Sequence, residues 1–269
     1  MPEKKQLTVA VFCAFGTTQL AATESGLLKA FCKSVKQAYR NNLARLCLLT
    51  DEFLQISPYD GIFDDVIRVP VTRNQLLLSR AEAYLSIIKR FSWDTPLALL
   101  DYDILMLKKI DQIFLSQHDV YVTCRNYSEN MPVNGGVVML NNIHPDRCHK
   151  FYRQVVETYR SLPAETLQWW GDQLALSHAV FAGRSVDINV VNEVITSGDV
   201  RVRLLDRARF NFTPYDVDTG VAIPRSLDQI TKMSLLNDVS IAHFKGPRKH
   251  LMIEWAKAIE ETGYSRPSN

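Results

Sequence analysis

The sequence predicts an α/β fold in which a mostly parallel central sheet is flanked by helices. Short runs rich in Val, Ile and Leu alternate with stretches of helical periodicity through the first half, the pattern of βαβ units. The 269 residues are 46% hydrophobic with only 11 Gly and 11 Pro, ordinary globular usage that excludes collagen-like and low-complexity chains. Charge interrupts every apolar run before it reaches the roughly 18 residues of a spanning helix, so no integral membrane contact is expected.

Leu7 to Phe15 reads as the first strand. Lys4 and Lys5 ahead of this run also suit the start of a secretory signal. Val9, Val11, Phe12 and Phe15 fit a buried strand better, and removing them would strip the sheet of a member. Glu24 to Tyr39 spaces Leu27, Leu28, Phe31 and Val35 as a helix does, and Leu43 to Leu49 returns as a strand ending at Thr50 and Asp51. Val66 to Val71 gives a third strand, and Asn74 to Phe91 a second long helix. Pro96 introduces the most apolar segment, Leu97 to Leu107. Val120 to Cys124 and Gly136 to Leu140 read as strands, and Pro145 to Tyr159 as a helix, before an irregular C-terminal part. No repeat, linker or charge block divides the chain, so one domain over residues 1–269 is expected.

The net charge of +2 gives no bulk field demanding nucleic acid or an anionic membrane. Five cysteines without CxxC spacing signal neither a disulfide framework nor zinc, and they suit a reducing cytoplasm.

Two carboxylates, Asp101 and Asp103, interrupt the apolar Leu97–Leu107 run. If the extended conformation continues through them they face the same side. Burying them unpaired would cost several kcal/mol, a conflict that a divalent cation with hard oxygen ligands, magnesium or manganese, resolves. The alternative is a pair of polar residues at a strand end. Asn134-Gly135-Gly136 reads as a turn feeding a strand, its glycines permitting close approach or positive φ. Trp169-Trp170-Gly171-Asp172-Gln173 joins aromatic faces suited to a sugar ring with groups that bind hydroxyls, although Asp172 also fits a helix N-cap. His243 and Lys245 fall on one side of an extended segment, where they suit a metal and a phosphate or simply solvent.

Taken in order, these segments resemble the GT-A nucleotide-sugar transferases, and most closely the retaining family 8 glycosyltransferases that include glycogenin and bacterial lipopolysaccharide galactosyl- and glucosyltransferases. Asp101-Tyr102-Asp103, Asn134-Gly135-Gly136, Asp172-Gln173 and His243-Phe244-Lys245-Gly246 follow the family's Asp-x-Asp, Asn-x-Gly, Asp-Gln and His-x-x-Gly. Ser79-Arg80 resembles its Ser-Lys pair, with arginine for lysine, and Phe210-Asn211-Phe212 its Tyr-Asn-Phe segment. The resemblance implies a GT-A, Rossmann-like domain with a nucleotide-binding part over about 1–105 and an acceptor-side part over about 106–269.

The resemblance further implies that Asp101, Asp103 and His243 bind a manganese or magnesium ion on the donor diphosphate, with Lys245 and Gly246 on the phosphates. Arg80 and Asn134 would face the donor sugar, with Tyr102 and Gly135 among the donor-binding positions. Ala14, Phe15, Gly16 and Thr17 would receive the base and ribose of a UDP-sugar. Asp172 would hold donor hydroxyls or the acceptor, and Gln173 would lie near the anomeric carbon. The implied reaction transfers a hexose or related sugar to an acceptor hydroxyl with retention. Gln173 is too weak a nucleophile for a covalent route, which favours attack from the face the leaving group departs.

Two other functions compete. A sugar-phosphate nucleotidyltransferase usually carries a glycine-rich, basic loop after its first strand, whereas Phe15 to Leu20 holds one glycine and no basic residue. A non-catalytic nucleotide-sugar binding protein would not need the metal ligands. The C-terminal tail lacks the basic, aromatic stripe of a lipid-surface helix, so the expected acceptor is a glycan, a protein side chain or a hydroxylated nucleobase in DNA. The arginine-rich stretch Arg201 to Arg209 and the cations from Lys245 to His250 suit phosphates or a solvated face.

Overall fold

The computed structural model describes residues 7–39, 43–91, 95–124, 132–167, 170–181, 194–214 and 238–261. Lys4, Lys5, Trp169 and the tail from Thr262 to Asn269 lie outside them. In chain order the elements are β1 (Leu7–Phe12), α1 (Ala22–Ala38), β2 (Ala44–Thr50), β3 (Asp65–Arg68), α2 (Leu76–Ile88), β4 (Leu97–Leu100), β5 (Ile104–Met106), β6 (Val120–Cys124) and β7 (Val133–Leu140). They continue with α3 (Pro145–Ser161), α4 (Ala164–Leu167), α5 (Gly171–Phe181), β8 (Val194–Ser197), β9 (Val200–Leu205), α6 (Arg207–Phe210), β10 (Ile241–His243) and α7 (Lys249–Glu261).

Eight strands form one sheet in the order β3-β2-β1-β4-β7-β6-β9-β8. Strands β3, β2, β1, β4, β6 and β9 run one way, while β7 and β8 run the other. Alternation along each strand separates two apolar layers. Val9, Val11, Ala98, Leu100, Val137 and Met139 face a layer completed by Leu27, Leu28 and Phe31 of α1 and by Met252 and Trp255 of α7. Ala10, Leu97, Leu99, Val138 and Leu140 face α2, α3 and α5 through Tyr84, Ile88, Phe151, Val155 and Ala179. Both faces are covered, which is why β1 and β4 read as unbroken apolar runs.

Three expectations are corrected. The Leu97–Leu107 run does not continue as one strand: β4 ends at Leu100, a turn spans Tyr102 and Asp103, and β5 leaves to pair antiparallel with β10. Charged side chains that need partners beyond the sheet edge end the ladder there. Gly135 and Gly136 do not form a turn, since both lie inside β7, next to a register shift between Val122 and Thr123. The C-terminal part is not irregular throughout, because α7 closes it. That helix buries Met252 and Trp255 and packs Leu251, Ile253, Ala256 and Ile259, partly buried, against the same layer; Glu254 and Lys257 interleaved with them blur the stripe in the sequence.

Candidate functional site

Parallel strands bring the chain after β1, β2 and β4 to one edge of the sheet. There lie Ala14–Thr17, Asp51 and Asp101–Asp103, and the antiparallel β7 delivers its first residues, Asn134 to Gly136, to the same edge. Ligands of open α/β sheets bind outside the carboxyl ends of the strands for this reason. The backbone N–H of Asp101 donates to the Gly136 carbonyl at 3.0 Å, stitching the aspartate turn to β7.

The carboxylates converge through the turn rather than along a strand. His243 Nε2 lies 3.0 Å from Asp103 Oδ1 and 3.6 Å from Asp101 Oδ2. Asp103 Oδ2 lies 3.5 Å from Lys249 Nζ, which donates to the Tyr102 hydroxyl at 3.0 Å and stands 4.7 Å above that ring's centre. Arg80 donates through Nη1 to Asp101 Oδ1 and through Nη2 to Asp172 Oδ2. Asp103, Asp172 and His243 are buried, and Asp172 Oδ1 has no hydrogen-bond partner.

Gly135 and Gly136 adopt neither turn nor left-handed geometry; their role is space. A Cβ at Gly136 would lie 2.2 Å from His243 Cε1 and 2.7 Å from Asp101 Oδ2, and one at Gly135 would lie 2.9 Å from Asp172 Oδ2. The bare backbone lets two acidic clusters sit against the strand.

Burial raises the Asp101 carboxyl above its usual range, although Arg80 opposes this. Burial would raise Asp103 too, but the facing His243 and Lys249 outweigh it and hold that carboxyl low. Burial also disfavours a charged His243 and lowers its titration, with Lys245 adding to the effect against the pull of Asp103. A neutral imidazole beside two carboxylates is the donor set of a metal site.

One ligand atom each from Asp101, Asp103 and His243 falls within 4.8 Å of the others, the only such group among the described residues. Hard oxygen donors with one nitrogen fit manganese or magnesium. The residues therefore fit the ion that the sequence led us to expect.

The other expected positions gather nearby. Asn134 Nδ2 donates to Gln173 Oε1 at 3.2 Å. Asp172 stands in the first turn of α5, where its bond to Arg80 replaces the capping role. Gly16 is left-handed (φ 66°), its N–H donating to Asp51 Oδ2 at 2.8 Å and its carbonyl accepting from Arg73. Phe15 meets Tyr102 edge-on with centres 5.9 Å apart. Lys245 and Gly246 follow β10, Gly246 with φ 59° opening a short 3-10 turn. Trp170 is exposed just ahead of Gly171.

Sequence reasoning missed four residues of this edge. Asp51 appeared only as a strand end, yet it holds the backbone N–H groups of Gly16, Phe53 and Leu54. Arg73 lay in a polar loop. Lys249 was one cation of the Lys245–His250 group, distinguished only by standing one short turn beyond Gly246. Asn211, whose flanking Phe210 and Phe212 were the sole signal, touches Thr123, Asn134 and His243.

No protein-family model and no curated protein matches the sequence. Solved structures do match in fold. The galactosyltransferase LgtC in complex with donor and acceptor sugar analogues is 12% identical, with 94% of this chain and 96% of that one covered at a TM-score of 0.57. The glycosyltransferase GlyE of Streptococcus pneumoniae TIGR4 is 12% identical, with 99% and 66% covered at 0.59. A glycosyltransferase involved in glycosylation of the major capsid of PBCV-1 is 11% identical, with 93% and 99% covered at 0.51. With its sheet order, its aspartate turn and these structural likenesses together, the chain has the fold of the GT-A glycosyltransferases.

Proposed function

We propose that the protein is a metal-dependent glycosyltransferase of the family 8 type, moving a hexose or related sugar from a UDP-sugar to an acceptor hydroxyl with retention. The observation that carries this reading is the convergence of Asp101, Asp103 and His243 beside the Arg80–Asp172 pair at the ligand-binding edge of the sheet. Asp101, Asp103 and His243 would hold manganese or magnesium, which when bound supplies a Lewis acid for the departing diphosphate.

The chain's own groups do the rest. Lys249 and Lys245 place positive charge where the leaving diphosphate gathers negative charge. Arg80 holds Asp101 and Asp172 in a fixed relation, and Asp172 Oδ1 is a buried acceptor without a partner in the protein, one that a donor-sugar hydroxyl would satisfy. Gln173 Oε1 is engaged by Asn134, which supports same-face attack without a covalent intermediate on Gln173. The loop Ala14–Thr17 and Tyr102 would receive the nucleoside, with Asn134 and Gly135 toward the sugar and Gly246 toward the phosphates. In this reading the part over about 1–105 binds nucleotide and the part over about 106–269 adds acceptor contacts.

A glycan is the acceptor class best supported, ahead of a protein side chain, because the exposed Trp170 offers an aromatic face beside Asp172. No helix among the described residues is long and apolar enough to cross a membrane. The five cysteines are buried and form no disulfide, in keeping with a cytoplasmic site of action. The test is a donor screen read by mass spectrometry, with calorimetry of UDP binding with and without manganese. Metal-dependent UDP binding and turnover of one nucleotide sugar are expected, and equal UDP affinity in a chelator would refute the metal assignment.

A further inference from the structure

The buried contacts behind His243 form a chain whose polarity can be deduced atom by atom. The backbone N–H of Gly136 donates to Asn134 Oδ1 at 3.0 Å. A backbone N–H is a donor without ambiguity, so this side-chain atom of Asn134 is its oxygen. Asn211 approaches the same oxygen at 2.9 Å and Thr123 Oγ1 at 2.7 Å with one end of its amide. That end must be the NH2 group, since an amide oxygen there would face the Asn134 oxygen. The other end of Asn211, its Oδ1, lies 2.9 Å from His243 Nδ1. An amide oxygen can only accept, so Nδ1 carries the proton. In neutral imidazole the second nitrogen then bears a lone pair, and Nε2 is the atom facing Asp101 and Asp103.

We infer that Asn211 is a positioning residue: the chain from the Gly136 N–H through Asn134 and Asn211 fixes His243 as its Nδ1–H tautomer and so aims a lone pair, not a proton, at the two carboxylates. This inference rests on reading the cluster as a metal site. A lone pair 3.0 Å from a carboxylate oxygen is repulsive until positive charge, a metal ion or a second proton on Nε2, lies between them, so the chain makes the cluster complementary to a cation before any metal ion arrives. Partners of this kind orient metal-binding histidines and their loss typically costs about 10–100-fold in affinity. The backbone supports the same placement. Phe212 N–H donates to the Ile241 carbonyl at 3.0 Å and His243 N–H to the Phe212 carbonyl at 2.7 Å, which locks Asn211 beside β10.

The test is nitrogen-15 NMR of histidine-labelled, metal-free protein at pH 8, paired with manganese titrations. Wild-type His243 should show the Nδ1–H tautomer, against the Nε2–H form that free histidine prefers. Asn211→Leu removes the acceptor and should release His243 to the Nε2–H form, weakening manganese binding about 10–100-fold. Asn211→Asp keeps an acceptor at Nδ1 and should retain the Nδ1–H tautomer, but it sets its second oxygen 2.9 Å from Asn134 Oδ1, so only part of the affinity should return. A wild-type spectrum of the Nε2–H form, or an Asn211→Leu protein with unchanged tautomer and affinity, would overturn the inference. The wild-type spectrum decides the tautomer even where Asn211→Leu fails to fold. Manganese failing to bind the wild type would instead remove the metal reading, leaving the tautomer to be judged from the spectrum alone.

Discussion

Replacing Gly136 with alanine tests the site with a single methyl group. Gly136 is not among the left-handed glycines, so alanine can adopt its backbone, and removing a strand glycine should by itself stabilise by about 0.5–1 kcal/mol. The steric effect opposes this. The new Cβ would stand 2.2 Å from His243 Cε1 and 2.9 Å from its Nδ1, whereas carbon atoms rest about 3.5–4.0 Å apart. The ring must therefore retreat by about 1.3 Å or more. It has little room to do so, being 3% exposed and tied through Nδ1 to Asn211. Overpacking of this kind costs about 1–3 kcal/mol, which exceeds the backbone gain. We expect a melting temperature lower by a few degrees and manganese affinity reduced at least about tenfold, equivalent to about 1.4 kcal/mol. Gly135→Ala, whose Cβ would meet Asp172 Oδ2 at 2.9 Å, needs a far smaller shift and should spare metal binding. Calorimetric titration with scanning fluorimetry measures both quantities. A Gly136→Ala protein with wild-type affinity and melting temperature would refute the reasoning.

Other perturbations should separate the remaining groups. Asp103→Asn should abolish metal-dependent turnover while circular dichroism stays unchanged, because it removes ligand charge at nearly constant shape. Arg80→Ala leaves Asp101 and Asp172 without their shared partner and should destabilise by about 3–5 kcal/mol in chemical denaturation; a loss below about 1 kcal/mol would mean that the pair contributes little. Burial holds the Asp101 carboxyl high, so protons should compete with the metal already above the usual carboxylate range. Affinity should accordingly fall as pH is lowered, and a constant affinity from pH 7 to 4.5 would contradict that direction. Lys245→Ala should reduce turnover more than UDP binding if its charge matters mainly as the diphosphate leaves. Hydrogen exchange on adding UDP and manganese should slow at Lys245 to Lys249, with β10 protected throughout by its pairing to β5.

The aspartate pair was legible as charge in an apolar run, whereas the histidine and the α5 carboxylate were legible chiefly through the resemblance of their His-x-x-Gly and Asp-Gln segments to the family. The parallel half of the sheet was legible because strands covered on both faces are apolar throughout. For some residues the geometry differs from the one the sequence suggests. Asp101 and Asp103 converge through a turn, and Gly135 and Gly136 provide clearance inside β7 rather than a bend. Asn211 was legible only as the middle of a segment resembling the family's Tyr-Asn-Phe; its role was not, because that role lies in three buried contacts made by distant segments, none of which leaves a periodic trace. Lys249 was hidden by its charged neighbours, since nothing local says which lysine reaches Asp103. Helix α7 was not legible because Glu254 and Lys257 interrupt the apolar residues that dock it.

The pairing of β5 with β10 also has a consequence for biosynthesis. Tyr102 and Lys249 touch across 147 residues, and His243 comes from the same late stretch of chain. Translation delivers the aspartate turn well before its nitrogen partner. A nascent chain that has emerged only as far as β9 owns a sheet and two carboxylates but no complete ion site. On the proposed function, reactivity toward a nucleotide sugar would then arise in one step, when β10 docks, and chains interrupted before that point would be inert toward the donor.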